Sequence, residues 1–432
     1  MTTQTLPVRP LATFDGERLV RNSLFLATLL LCWFTVSPFP DLGDPQLLEP
    51  RLTGDLFGQA ATVLLTGALA AFALLKRAAL LKRAVTLPLI LTFAAFVISA
   101  LLSAYPAVAE RRIVLAAFTI FQASVLLLLP YGREHFARLL TVAALTVLAA
   151  CYLGVALAPN LSIHQISDVS EPNLAGDWRG LFTHKNGAGA AMVLLIFIGI
   201  FVWRSWNRLA GFLIIVPAGI FLHFTHAKSA TNLFPVVLLL SYVVPRLRSA
   251  WTAGVLILVV VVLINLLTIG SVMFDPVRNL VGSLMADPTF TGRDEIWRFA
   301  LDNLASRPLF GFGFEAFWGT PDLVGAWNYL VSWGYRASDA HNGYLNLAVT
   351  TGLVGLTCAL SWVLVQAFFD CRRALVAGAD RALILLFLQI WIFGLCVSGF
   401  ESVFFRGGSE VWLLTAVSVI GFRFQSIARN SA

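Results

Sequence analysis

The chain has 432 residues, of which 58% are hydrophobic and only 12% charged, with a mean hydropathy of +0.82. A soluble domain carries about a quarter charged residues, so this much apolar surface excludes an ordinary water-soluble fold and makes lipid the solvent. The formal net charge of +7 would suggest nucleic acid in a soluble protein, but in a membrane chain its placement reports orientation, and no nucleic-acid partner is expected.

Taken in order, residues 1–21 are polar and mixed, and the first apolar run is a full span rather than the short core of a cleavable signal. Apolar runs between charged punctuation give twelve candidate spans, at 22–40, 56–75, 84–104, 112–130, 137–159, 187–203, 209–225, 231–245, 251–270, 343–369, 382–400 and 410–422. The eighth and twelfth are short, and the tenth is long enough to tilt. The expected fold is an all-α polytopic membrane protein of about 12 transmembrane helices, with a large, partly helical periplasmic loop between helices 9 and 10. Residues 1–21 form a cytoplasmic segment, 22–270 the first nine helices, 271–342 the loop, 343–422 the last three helices and 423–432 a cytoplasmic tail. Five cysteines (Cys32, Cys151, Cys358, Cys371, Cys396) sit in or beside apolar runs without CxxC spacing and read as packing residues.

Charge placement tests this count. With the N-terminus in the cytoplasm, the inner segments hold Arg9, Arg18, Arg21, the KRAALLKR loop, Arg133, Arg138, Arg204, Arg208, Arg246, Arg248, Arg372, Arg373, Arg381, Arg423 and Arg429. That is most of the basic residues and few of the acids, as the positive-inside rule requires. An odd miscount of spans would scramble the asymmetry, so both termini are placed in the cytoplasm.

Two outer segments are long, 160–186 and 271–342. In the second, TFTGRDEIWRFALDNLASRPLFGFG begins with a T-x-x-D capping pattern at Thr291 and Asp294 and ends at Arg307–Pro308. Ile296, Trp297, Ala300, Leu301 and Leu304 share one helical face, expected to lie on the membrane or the bundle top. Arg293 falls on that same face, where it needs an anionic partner or a watery cavity; a structural ion pair and a functional role are equally open. Arg298 and Asp302 point to solvent.

GDWRGLFTHKNGAGAA places Arg179, His184, Lys185 and Asn186 before the sixth span, and HFTHAKSATN places His223, His226 and Lys228 at the outer end of the seventh. Arg111 and Arg112 open the fourth, and His341–Asn342 precede the tenth. Lys228 would serve equally as a snorkelling lysine, and His341 as a helix-start histidine. Together these cations and histidines gather at one membrane face. Guanidinium forks suit phosphate oxygens, and several separated cations suit a diphosphate. The outer loops carry no DxD, HExxH or compact His/Cys cluster, so no metal is expected. No phosphate-binding glycine loop is present either, so no cofactor is expected.

These residues resemble a known family. HNGYLNLAVTTGLVG, with His341, Asn342, Gly352 and Gly355 in register, resembles the H-[NSQ]-x9-G-x-x-G signature of bacterial O-antigen ligases and related polysaccharide polymerases. RGLFTHKNGAGA is similar to the superfamily's R-G-x-F-x-H-x-N block, and TGRDEIW with RPLFGFGFEAFW to its large-loop element. O-antigen ligases usually carry S-R-G after the seventh span, whereas this chain has AKSAT with Lys228 and Ser229, a feature more like exopolysaccharide polymerases of the ExoQ type. SGFESVFF, with Glu401, also resembles that branch; Glu401 would bind acceptor sugar or pair with Arg406.

The resemblance implies a metal-independent glycosyl transfer at the periplasmic face of the bacterial inner membrane. The donor is a glycan on undecaprenyl diphosphate and the acceptor a sugar hydroxyl of a lipid-linked polysaccharide acceptor. His341 would orient or deprotonate that hydroxyl, since an imidazole near its ordinary pKa suits general-base work. Arg179, Lys228 and Arg293 would hold the diphosphate, with His184, Lys185, Asn342, Glu401 and Arg112 as additional site residues. An exopolysaccharide polymerase is the first expectation, an O-antigen ligase acting on lipid A core the second. A lipid-linked-glycan flippase or transporter is the rival from another class. A separate flippase and a chain-length regulator are the expected protein partners.

Overall fold

The computed structural model describes residues 16–34, 38–44, 56–284, 287–320 and 337–427. Most of the expected N-terminal segment, the end of the tail, and 321–336 of the large loop lie outside the described residues. The described chain is helical, with one isolated antiparallel bridge between Ile163 and Trp178. Helices α1 (Gly16–Phe34), α2 (Leu56–Lys76), α3 (Leu87–Leu101), α4 (Pro106–Leu126) and α5 (Arg133–Leu157) form the first half of the bundle. They are followed by α6 (Lys185–Ser205), α7 (Arg208–Thr225), α8 (Lys228–Val243) and α9 (Ala250–Leu267). The long connection carries α10 (Asp275–Leu284) and α11 (Arg293–Ser306). Next, α12 (Gly343–Leu360) runs through a π-helical stretch, Ser361–Gln366, into α13 (Ala367–Val376), and α14 (Arg381–Val397) and α15 (Glu410–Ile427) close the chain.

A helix covers each of the twelve apolar runs. Seven are long and apolar enough to cross a membrane, or eight if the pair Ala78–Ala84 and Leu87–Leu101, bent by 70°, counts as one. The protein is therefore a multi-pass membrane protein. The shortfall against twelve has visible causes: α1 opens on Glu17, Arg18 and Arg21, α4 carries Glu110, Arg111 and Arg112, α14 has 17 residues, and α15 carries Glu410, Arg423 and Gln425 within its 18.

Lipid offers no hydrophobic force between helices, so close packing and small residues hold the bundle. The hairpin of α6 and α7 shows this: a Cβ added at Gly211 would sit 2.8 Å from the Gly199 carbonyl oxygen. The sequence around α6 is small and apolar on every side, and the helix is accordingly buried all round, at the centre of the main core.

Lysine and arginine ion pairs that join distant segments among the described residues fall into two sets at opposite ends. One set joins Lys76 to Glu17, Arg133 to Asp380 and Arg423 to Asp370. The other joins Arg293 to Glu401, Arg406 to Asp339 and Arg112 to Glu315. The charges expected inside populate the first set and those expected outside the second.

The tenth run is not one tilted helix. At Gly352 the backbone of α12 leaves the helical region (φ 69°, ψ −179°). The turn Pro308–Gly313 fills the gap: Leu353 N–H donates to Pro308 O (2.8 Å), and Phe312 and Gly313 N–H donate to Val349 and Thr350 O (3.1 and 2.8 Å). Irregular backbone within a membrane bundle survives only when its polar groups are satisfied this way. A Cβ on Gly352 would lie 2.1 Å from Leu309 O, and one on Gly311 2.5 Å from Val349 O. The Gly-Phe-Gly-Phe turn is thus an inserted wedge, with Phe314 stacked on Phe96 of α3 at 4.4 Å.

The α11 face behaves as patterned. Ile296, Trp297 and Ala300 are buried against Val272, Trp318, Ala340 and Leu345, a small second core on top of the bundle. The capping pattern does not hold. The N-cap is Gly292 with φ 79°, and Asp287 accepts from Thr289 and Thr291 N–H, so a preceding turn takes the donors that Thr291 and Asp294 were expected to share.

Candidate functional site

His341 lies at the mouth of α12, where three segments meet. Asn342 N-caps the helix, its Oδ1 accepting from Tyr344 and Leu345 N–H at 3.0 Å each. Its Nδ2 donates to Gly399 O (3.0 Å). With the whole side chain buried and paired, Asn342 ties α12 to the end of α14 and is not presented to a substrate, a correction to its place among the site candidates. The residue before it is left in the left-handed region (His341 φ 46°), which a non-glycine residue occupies only when its surroundings hold it there. Asp339 Oδ1 accepts the His341 N–H (2.8 Å), and Trp297 Nε1 donates to Ala340 O (2.9 Å). Buried Asn346 accepts the Ala340 N–H at 3.3 Å and a Trp318 Nε1–H at 2.8 Å.

The second segment is SGFESVFFRGG, between α14 and α15. Phe404 packs on Tyr344 and Trp412, and Phe405 on Phe96 and Trp412. These plugs fix the loop so that Glu401 and Arg406 face His341. Glu401 Oε2 lies 3.4 Å from His341 Nδ1. Its Oε1 accepts from Arg293 (3.0 Å) and from Asn186 Nδ2 (3.1 Å). Arg293, the first residue of α11, also donates to Phe400 O. Burial alone would raise the Glu401 carboxyl, but Arg293 and the hydrogen bond with His341 draw it down to about 2. The pairing left open between Glu401 and Arg406 is resolved otherwise: Arg406 donates to Asp339 Oδ2 at 2.7 Å. Burial opposes the Asp339 charge, yet His341 and Arg406 hold its carboxyl well below the usual range.

The remaining candidates are placed as follows. Arg179 is 0% exposed, donating to Phe182 O (3.1 Å) and Pro40 O (2.7 Å). The RGLF turn wraps its own arginine, so Arg179 clamps two loops together instead of meeting a diphosphate, which corrects the expected role. Lys185 Nζ bonds Asp177 at 2.5 Å, and the same carboxylate takes His226 at 2.6 Å; Lys185 is held in an ion pair, not presented. His184 N-caps α6: its Nδ1 accepts from Asn186 N–H (3.1 Å), so its Nε2 carries the hydrogen given to Glu171 (2.9 Å). Lys228 opens α8, exposed, and its charge acts on Asp287. Arg112 stands 3.7 Å from Glu315. The arrangement therefore joins His341, Arg293 and Glu401, and sets Arg179 apart in a buried clamp.

Sequence reading passed over Asp339, Glu315, Arg406 as a partner of Asp339, and a buried His164–Asp168 pair (2.8 Å) beside His184. Only Asp339, two residues before His341, carried a local signal. The geometry offers a base whose partner carboxylate is fixed and ionised, with a guanidinium against that carboxylate, all at one end of a membrane bundle.

Comparison with known proteins finds a family model and a curated relative that match parts of the chain. Residues 213–360 match the family described as O-antigen ligase. Over 111 residues, 25% of the chain, the sequence is 32% identical to the exopolysaccharide production protein ExoQ of Rhizobium meliloti (strain 1021). The matched stretch spans 25% of that relative's length. The stretch that matches the family model, residues 213–360, includes Arg293 and His341.

Proposed function

We propose that the protein is a glycosyltransferase of the polysaccharide-polymerase type. It moves glycan from an undecaprenyl-diphosphate donor to a sugar hydroxyl of a lipid-linked acceptor, at the periplasmic face of a twelve-span inner-membrane bundle with both termini cytoplasmic. The observation that carries this is the bridge made by Glu401 between His341 and Arg293, residues 48 positions apart in sequence and drawn together by a third segment. His341 Nδ1 is directed at Glu401, so we assign Nε2 to the acceptor hydroxyl. As the hydroxyl oxygen attacks the sugar's anomeric carbon, its proton passes to His341 and the bond from that carbon to the diphosphate oxygen breaks, its electron pair leaving with the diphosphate. Glu401 stabilises the imidazolium that forms. Arg293 keeps Glu401 ionised and adds positive charge where the leaving group develops negative charge.

The test is His341→Ala in a deletion strain complemented from a plasmid, with expression matched to wild type. General-base removal costs roughly 10²–10⁴-fold in rate, so polymer output should fall to background; full output would refute the role. The family description favours a second reading, transfer of finished polymer to another acceptor. The deletion strain separates the two: single repeat units left on carrier lipid mark a polymerase, long chains left on the carrier a ligase.

A further inference from the structure

A leaving diphosphate needs cations whose N–H groups reach solvent. Arg179 is buried on carbonyls, and Arg293 is only 13% exposed, with donors on Phe400 O and Glu401. Two arginines at the same end are placed differently. Arg406 is 50% exposed and Arg112 47%. The two are linked through one residue of α12: Asn346 donates to Glu315, which Arg112 meets, and accepts the N–H of Ala340, the neighbour of Asp339, to which Arg406 donates. Each guanidinium has five N–H donors, and the contacts here take few of them. Arg406 gives one to Asp339, and Arg112 meets Glu315 only at 3.7 Å.

The link to His341 is short. Asp339 holds Arg406 with one oxygen and the His341 N–H with the other, at 2.7 and 2.8 Å. Arg406 is also firmly carried. Phe405, in the left-handed region at φ 57°, buries its ring 5.0 Å from Phe96 and 4.5 Å from Trp412, which fixes the backbone of the next residue. Arg112 rises from the second turn of α4, and Asn346 Nδ2 holds its partner Glu315 at 2.6 Å.

We infer that Arg406 and Arg112 form the anion-receiving edge of the site, holding the diphosphate of a polyprenyl-diphosphate donor while its sugar carbon faces His341. This rests on the glycosyl-transfer reading and names its leaving-group contacts. Asp339 and Glu315 then keep the two forks extended until the ligand replaces them.

The experiment measures binding of farnesyl diphosphate to the full-length protein in nanodiscs of zwitterionic lipid, for wild type, Arg406→Gln, Arg112→Gln, the double variant and Arg406→Lys. Loss of one charge-assisted contact should weaken binding ~10-fold or more, and of both ~100-fold. Arg406→Lys, which keeps the charge but not the fork, should fall between. Wild-type affinity in the double variant overturns the inference, as does equal competition by phosphatidylglycerol, which would make this an ordinary phospholipid headgroup site. If Arg406→Gln fails to fold, Arg112→Gln and Arg406→Lys carry the test, because neither strips Asp339 of its cation. Arginine-dependent binding together with full polymer output from His341→Ala would keep this site and reject the transfer chemistry; loss of output with arginine-independent binding would do the reverse.

Discussion

Glu401 illustrates how a single side chain serves both fold and chemistry. Its two oxygens meet donors from α6, from α11 and from the turn before α12, so its charge is part of what holds these segments together. The carboxyl is drawn from its ordinary 4.5 to about 2. A depressed folded value means that the stabilisation is complete above about pH 4.5 and is lost as pH falls toward 2. Thermal unfolding of the wild type in detergent should drop across that window, and Glu401→Gln should give a flatter profile from a lower start. Parallel profiles would remove Glu401 from the ion pair. Arg179 makes the opposite case. Its neighbourhood reads in sequence like a substrate site, because Gly-Asp-Trp-Arg-Gly is polar and lies at a membrane edge. What sequence could not convey is that the arginine turns inward onto Pro40 O and Phe182 O, one of them 139 residues away. Arg179→Gln should therefore lower stability by about 1.5–3 kcal/mol, the usual worth of a hydrogen bond to a charged group. Unfolding temperature and yield report it, and a variant that melts normally yet fails to transfer glycan would restore the catalytic role.

Among the elements, α12 holds the main surprise. The apolar runs were legible because lipid imposes a length and a composition on any span; each contains a helix, and seven or eight of these are long and apolar enough to cross. The face of α11 was legible for a similar reason: Ile296, Trp297 and Ala300 recur at helical spacing, and all three are buried. The break at Gly352 was not, since a glycine inside an apolar run reads the same whether it packs against a neighbour or interrupts the helix. Its cause lies in Leu309 and Phe310, more than 40 residues earlier, whose backbone occupies the space a Cβ would need. The pairings of Asp339 with Arg406 and of Glu315 with Arg112 were hidden likewise, because partner choice across 67 and 203 residues leaves no local trace. At Gly352 an alanine would meet a carbonyl oxygen at 2.1 Å in a backbone region that non-glycine residues avoid. The backbone strain alone is about 1–3 kcal/mol, and the clash adds to it. Gly352→Ala should expel the 308–313 wedge, loosen Trp297 and Ala340 behind it, and lose both thermal stability and polymer output. Gly67→Ala, in α2 with open space around it, is the control and should leave both unchanged. Equal behaviour of the two variants would mean that the wedge does not depend on the glycine.

For the whole molecule, the ion pairs separate into two ends, and each set ties together the segments that share its end. If α1 runs outward from the cytoplasm, then Glu17, Lys76, Arg133, Asp380 and Arg423 share the inner end, while Asn186, Arg293, His341, Glu401 and Arg406 share the outer one. Basic residues concentrate on the first side, and lysines and arginines retained in the cytoplasm are what orient a membrane chain during insertion. In the proposed reaction the donor would then meet His341 away from cytoplasmic ATP, and the bond to its diphosphate would itself supply the driving force. Single cysteines test the orientation, introduced into a variant lacking Cys32, Cys151, Cys358, Cys371 and Cys396. Ser170→Cys and Ala250→Cys lie at exposed positions of opposite ends. A membrane-impermeant maleimide applied to intact spheroplasts should label Ser170→Cys, and should reach Ala250→Cys only after lysis. The reverse pattern would place His341 in the cytoplasm and remove the periplasmic reaction. Labelling of both sites before lysis would mean that the two ends do not lie on opposite sides of the bilayer, and that the twelve-span arrangement fails.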